Sequence, residues 1–123
     1  MSIVSKQDGV DNIHLMAVAR SELGIRRARL AAFGPGWAGD SWWDILLVLY
    51  VERSGRGIDI WSLAGHAGQS LSLAERWLEI LKIEGFVQYC AASTDAEVRI
   101  FELSSRGCAK VERCLVGNGE YRP

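Results

Sequence analysis

The chain has 123 residues, 49% of them hydrophobic and 24% charged, with a net charge of −1. That is enough chain for one apolar core held without disulfides or metal, and too little positive charge for a surface that is basic all over. No apolar run is as long as a membrane span, since Trp42 to Val51 is broken by Asp44 and stopped by Glu52. The first residues lack the charged and apolar regions of an export signal. Cys90, Cys108 and Cys114 make an odd count without CxxC spacing, which fits reduced, buried thiols in a cytoplasmic protein.

Residues 1–10 carry no periodic apolar pattern and read as a mobile tail. Asp11 or Asn12 is placed to cap a leading helix over 11–33, with Leu15, Ala19, Leu23, Leu30 and Phe33 roughly on one stripe and Glu22 and Arg26 as an i,i+4 pair. Arg20, Arg26, Arg27 and Arg29 make this the most basic segment. A solvated helix face is the ordinary reading, and contact with phosphates or an acidic partner the functional one. Gly34-Pro-Gly-Trp-Ala-Gly39 matches G-x-G-x-x-G by letter. A dinucleotide site needs a strand before that loop, whereas here a helix precedes it and Pro35 removes a donor, so it is a helix-breaking connector.

A central helix follows over 40–54, with Ser41-Trp-Trp-Asp44 at capping-box-like spacing. Trp43, Leu46, Leu47, Tyr50 and Val51 occupy one face and Trp42, Ile45 and Leu49 another, the pattern of a helix buried on several sides. Ser54–Gly57 is a tight loop, and Gly57-Ile-Asp59 a short strand joining a later sheet. Residues 59–85 then read as helix, turn, helix. Asp59 caps the first helix, Gly68 breaks the chain, and Ser70 caps the second, whose apolar face is Leu71, Ala74, Leu78 and Leu81. Gly85 ends it in the left-handed conformation that glycine adopts without steric cost. Over 86–103 the period changes to that of two strands, Phe86–Cys90 and Val98–Leu103, around the turn-forming Ala91–Ala96. Ser104 or Ser105 caps a last helix over 104–117, with Cys108, Val111 and Leu115 as apolar positions. The expected fold class is α+β: one winged helix-turn-helix domain spanning 1–123.

Catalytic chemistry has little to work with. His14 and His66 are the only histidines and stand in no metal-ligand spacing; His66 falls at the end of a short helix, where a charge–dipole role is usual. No nucleophile elbow or Walker loop is present. The expectation is a protein that is not an enzyme and takes no metal or cofactor.

Leu63-Ala64, Gly68-Gln-Ser70, Arg76-Trp-Leu-Glu-Ile-Leu-Lys-Ile-Glu-Gly-Phe-Val87, Asp95 and Leu103-Ser-Ser-Arg-Gly107 stand in the order and spacing of a known family. From about Asp40 to Leu115 the chain resembles the MarR-type (multiple-antibiotic-resistance regulator) winged-helix proteins. The resemblance implies a homodimer held by the leading and trailing helices, with double-stranded DNA as partner and a small aromatic effector. It places Ser70, Leu71, Ser72, Leu73, Glu75 and Arg76 at the major groove, with Arg76 suited to a bidentate guanine contact. The family's wing arginine follows the wing aspartate. Glu97 stands there in this chain, and Arg99 is the candidate replacement. Trp37, Trp42, Trp61 and Trp77 are the candidate ligand or partner surface, against the ordinary reading of tryptophan as packing.

Two features run against DNA. Between Ser70 and Glu84, Arg76 and Lys82 face Glu75, Glu79 and Glu84, and the wing carries Glu97. The leading expectation is a transcriptional regulator. The alternative is a winged-helix protein-interaction module with weak or lost DNA binding.

Overall fold

The computed structural model describes residues 5–37, 39–55, 57–90 and 99–116, with side chains from residue 12 onward. The chain divides into two compact units, Met1–Pro35 with Arg113–Pro123, and Gly36–Glu112.

The first unit is built on α1, Ser5–Phe33. It starts ahead of the expected Asp11, inside the stretch read as a tail. Lys6 and Gln7 are good helix formers, and extending an existing helix is far cheaper than nucleating one, so Gly9 does not stop it. Of the α1 residues from 12 onward only Gly24 and Ala28 are buried. Leu15, Leu23 and Leu30 of the expected stripe are largely exposed in the single chain.

The second unit forms around α2, Ser41–Val51, whose Trp42, Trp43, Ile45, Leu46 and Leu49 are buried. Three sides of this helix are used, against α3 (Ile60–Ala67), α4 (Leu71–Ile83) and strand β3 (Ile100–Leu103). That accounts for a helix apolar nearly all round. The capping box expected at Ser41–Asp44 does not form. Asp40 already sits in a helical conformation, and its carbonyl accepts from the Asp44 N–H at 2.9 Å without a side-chain cap. The helix ends at Val51 rather than 54, where Arg53 folds back to donate to the Tyr50 carbonyl at 2.7 Å, its guanidinium 3.7 Å from the Tyr50 ring centre.

Strand β1 (Ile58–Asp59) pairs antiparallel with β3, and β3 pairs antiparallel with β2 (Val87–Tyr89), giving the order β1-β3-β2. The short strand before the helix-turn-helix therefore joins the wing sheet as expected. The strands are shorter than the apolar runs suggested. Asp95 and Glu97 lie outside the described residues.

Helix α5 (Ser105–Leu115) is locked to the turn after α4. Ser104 Oγ accepts from the Gly107 N–H at 3.0 Å and donates to the Gly85 carbonyl at 2.6 Å, while the Ser104 N–H donates to the Phe86 carbonyl at 3.0 Å. Arg106 donates to the Glu84 carbonyl at 2.6 Å and lies 4.7 Å over the Phe86 ring. A Cβ on Gly107 would stand 2.1 Å from the Phe86 carbonyl oxygen, so only glycine lets the helix come this close. The Leu-Ser-Ser-Arg-Gly signature is thus a clamp between α5 and the start of the wing. The buried stripe of α5 is Gly107, Val111 and Cys114, with Cys108 half-buried and Leu115 exposed, a rotation from the expected Cys108–Val111–Leu115 face.

Candidate nucleic-acid interface

Three local devices set α4 in place. The Asp59 carboxylate accepts from the Ser62 N–H at 2.9 Å and the Ser62 hydroxyl at 3.1 Å, capping α3. That capping bond holds the Asp59 carboxyl below its ordinary pKa. Gly68 ends α3 at φ +67, and Gln69 reaches back to donate to the Ser41 carbonyl at 2.7 Å, tying the turn to α2. Ser70 Oγ then accepts from the Leu73 N–H at 3.2 Å and starts α4. Gly85 closes the far end at φ +86.

Ala74, Leu78 and Leu81 point into the core, which turns Ser70, Leu71, Ser72, Glu75 and Arg76 to the surface. Leu73 is half-buried and holds the helix rather than reaching out. Glu75 and Arg76 make no hydrogen bond or ion pair with any described residue, so both charges are open to an incoming group. Ser70 spends one lone pair on its cap and keeps its hydroxyl proton for a phosphate or base.

Arg99 does not project freely as a wing arginine would. It donates to the Tyr89 hydroxyl at 3.3 Å, and Lys82 of α4 donates to the same oxygen at 3.0 Å. The hydrogen bond to Tyr89 holds the Lys82 pKa above its ordinary value. Lys82 is also 3.9 Å from Glu79. Between α4 and the wing runs a groove of about 530 Å³, entered past Trp61 and Leu71 and floored by Leu78 and Phe101. Glu75 stands toward one end and Lys82 and Arg99 with Tyr89 at the other, with Glu79 beside Lys82.

The tryptophans do not form one surface. Trp37 packs on Trp42 at 5.1 Å, stacks on Trp77 at 5.9 Å and 23°, and meets Phe86 at 6.3 Å; Trp43 adds an edge to Trp42 at 5.9 Å. Trp42 is 1% exposed and presents nothing to a ligand, because the central helix buries it. Trp37 and Trp77 are half-buried in the same stack. Trp61 stands apart, 61% exposed at the groove. The sequence reading missed Tyr89 and Lys82. The signal was a lysine and a tyrosine on adjoining elements, but only the wing's register brings them together.

Among the described residues no group of three or more His, Cys, Asp and Glu is arranged to hold a metal, and no helix is long and apolar enough to cross a membrane. Cys90 and Cys114 are buried, and burial pushes the half-buried Cys108 thiol up, away from reactivity.

No protein-family model and no curated protein sequence matches this chain. Solved structures do. The multiple antibiotic-resistance repressor MarR of Listeria monocytogenes superposes with a TM-score of 0.70 at 14% identity, over 95% of this chain and 75% of that one. The chain has the MarR-type winged-helix fold. A variant of Staphylococcus aureus MepR bound to an oligodeoxyribonucleotide superposes with a TM-score of 0.68 at 12% identity, covering 85% of this chain and 72% of that one. MepR bound to ethidium bromide gives 0.64 at 13% identity, over 89% of this chain and 75% of that one. Within this fold α3 and α4 form the helix-turn-helix and β2–β3 the wing.

Proposed function

We propose that this protein is a transcriptional regulator that binds duplex DNA as a homodimer, with α4 in the major groove. The observation that carries the reading is the exposed N-terminal half of α4, where Arg76 is free of any described partner. The oligonucleotide complex of MepR, which shares the fold, supports it. Arg76 is assigned to a base edge, Ser70 and Ser72 to phosphates or bases, and Leu71 to an apolar contact with a thymine methyl. Leu73 supports from below, and Glu75 costs affinity unless it accepts from a cytosine amino group. Arg99, drawn onto Tyr89, contributes positive charge at the wing base rather than a minor-groove finger.

Dimerisation is supported by α1. Met16, Leu23 and Leu30 recur every seven residues and are 51%, 48% and 59% exposed; Ile13 lies on the same face, three residues before Met16. A sustained seven-residue apolar repeat at the surface is the pattern of a helix–helix seam. Leu115 and Val116 extend the apolar surface of the same unit. The reading includes a small aromatic effector, for which the half-buried Trp37–Trp77 stack is the candidate contact and ethidium-bound MepR the precedent in fold. It assigns no catalysis and places the protein in the cytoplasm.

The test is fluorescence anisotropy with a duplex from immediately upstream of the protein's own coding region and a scrambled duplex, at low and near-physiological salt. Sequence-dependent binding that weakens steeply with salt is expected. Equal or absent binding to both at low salt would count against the reading.

One observation favours a second reading, a winged-helix module that binds protein. Trp61 is exposed beside Leu71 and Tyr89, and a tryptophan at a groove mouth suits a protein anchor better than a phosphate backbone.

A further inference from the structure

The α4–wing groove carries the Glu75 carboxylate at one end and an excess of positive charge at the other, where Lys82 and Arg99 outnumber Glu79, 3.9 Å from Lys82. Glu75 and Lys82 lie on one face of α4, seven residues apart, which is about 10 Å of helix rise. At the Lys82 end, two cations donate to one phenol oxygen, Lys82 at 3.0 Å and Arg99 at 3.3 Å. The Tyr89 hydroxyl accepts both and has no described acceptor for its own proton. Glu79, 3.9 Å from Lys82, offsets one of the two positive charges, and the remaining one with the idle hydroxyl proton makes a seat for a carboxylate. At the other end Glu75 is a carboxylate without a described partner, a seat for an ammonium or guanidinium group. Between them Trp61 stands 61% exposed, and the floor of Leu78 and Phe101 is apolar.

A duplex complements the outer face of α4 better than the groove itself, where it would bring only negative charge against Glu75 and Glu79. An extended peptide complements the groove. At about 3.3 Å per residue, about three residues span the distance between the two seats. A volume of about 530 Å³ is of the size that houses a few side chains.

We propose that the groove between α4 and the wing docks a short segment of a partner protein, with a cationic side chain and a carboxylate about three residues apart around an apolar or aromatic anchor. The anchor packs on Trp61 over Leu78, the cation pairs with Glu75, and the carboxylate is held by Lys82, Arg99 and the Tyr89 hydroxyl. The inference rests on the protein-binding reading of this face and needs no DNA affinity. Leu71 and Glu75 belong to both surfaces, so segment and duplex exclude one another wherever both bind.

The test titrates the isotope-labelled full chain with the blocked tetrapeptide Lys-Phe-Ala-Glu, following amide and indole N–H resonances by NMR. Saturable shifts confined to Trp61, the Leu71–Lys82 face and Tyr89 are expected, with a Kd of about 0.1–1 mM for so small a fragment. Peptides with two lysines or two glutamates in the charged positions bind about fivefold or more weakly. Trp61→Ala, at an exposed position that leaves the core intact, abolishes binding, and Glu75→Lys makes the two-glutamate peptide the better ligand. No saturable shift by about 5 mM, or equal shifts with all three peptides, overturns the proposal. Free phenylalanine binding as tightly as the tetrapeptide also overturns it, giving the groove to a small molecule. A duplex of about 20 base pairs, added alone, separates the two readings. Groove shifts with duplex and none with peptide overturn the docking site and leave the regulator standing. Shifts with peptide and none with duplex support the site and count against the DNA reading.

Discussion

Replacing Gly107 with alanine puts a methyl where α5 touches the backbone of Phe86. The new Cβ would lie 2.1 Å from the Phe86 oxygen, 2.9 Å from its carbonyl carbon and 3.1 Å from its Cα. Backbone cannot rotate away as a side chain can, so α5 and the wing must separate by about 1 Å, an overpacking cost of about 1–3 kcal/mol. The separation also stretches the Ser104 N–H bond to the Phe86 carbonyl, now 3.0 Å, worth about 1 kcal/mol. Alanine returns about 1 kcal/mol of helix propensity. The net loss is about 2 kcal/mol, or a Tm lower by about 8 °C for a chain of this length. Gly65, inside α3, has nothing within 4 Å of its virtual Cβ, so Gly65→Ala keeps the propensity gain and raises Tm by a few degrees. Calorimetry on both variants is the assay. A Gly107→Ala protein that melts at or above the wild type would refute the close-approach argument, and Gly65→Ala shows that the propensity gain was weighed correctly.

Arg76→Ala should cost about 1–3 kcal/mol of duplex affinity at one base position with Tm unchanged, measured by anisotropy and melting on the same preparations. An unaltered affinity removes Arg76 from the interface. Glu75→Gln should strengthen duplex binding at low salt, because a lone carboxylate facing phosphates is neutralised; weaker binding would show that it contacts a base. Leu23→Glu places a charge in the centre of the seven-residue repeat on α1 and should shift sedimentation from dimer to monomer, and a persistent dimer would put the interface elsewhere. Asp59→Ala should cost about 1 kcal/mol at neutral pH through the lost α3 cap. The Asp59 pKa is lowered in the folded chain, so its contribution is present above the ordinary carboxylate range and fades as pH falls through the lowered value. Denaturant melts of both proteins should therefore converge as the pH is taken down through the lowered Asp59 pKa, and a gap that stays constant with pH would exclude the charged cap.

Short-range chemistry was legible in the residues themselves. Asp59, Ser70, Gly68 and Gly85 mark the ends of α3 and α4 because capping and positive φ depend on a few neighbouring atoms. The apolar period of α4 named Ala74, Leu78 and Leu81 of its buried face, while Leu71 on the same stripe is exposed, and the α-to-β change at Phe86 located the wing. Boundaries governed by weaker local preferences moved. Ser41 and Asp44 have the spacing of a capping box, but Ser41 is already inside the helix, and α1 runs back to Ser5 through a glycine.

The candidate site was half legible. Ser70, Leu71, Ser72, Glu75 and Arg76 lie on the open face of α4 because the positions between them are apolar. Nothing local distinguishes Trp42, wholly buried, from Trp61, largely exposed; both are tryptophans near helix starts. Their fates depend on what packs against them, α2 being enclosed on three sides and the start of α3 not.

What this sequence determined alone is the order of its elements, since each is set by period, caps and turn residues within one or two helical turns. What only the tertiary structure decided is which groups meet. Gly107 is needed because α5 crosses Phe86, 21 positions earlier in the chain. Lys82 and Arg99 share the Tyr89 hydroxyl because the pairing of β2 with β3 returns the strand to the side of α4. Such contacts join residues far apart in the chain, and the energy that selects them comes from packing the core, which no local pattern encodes.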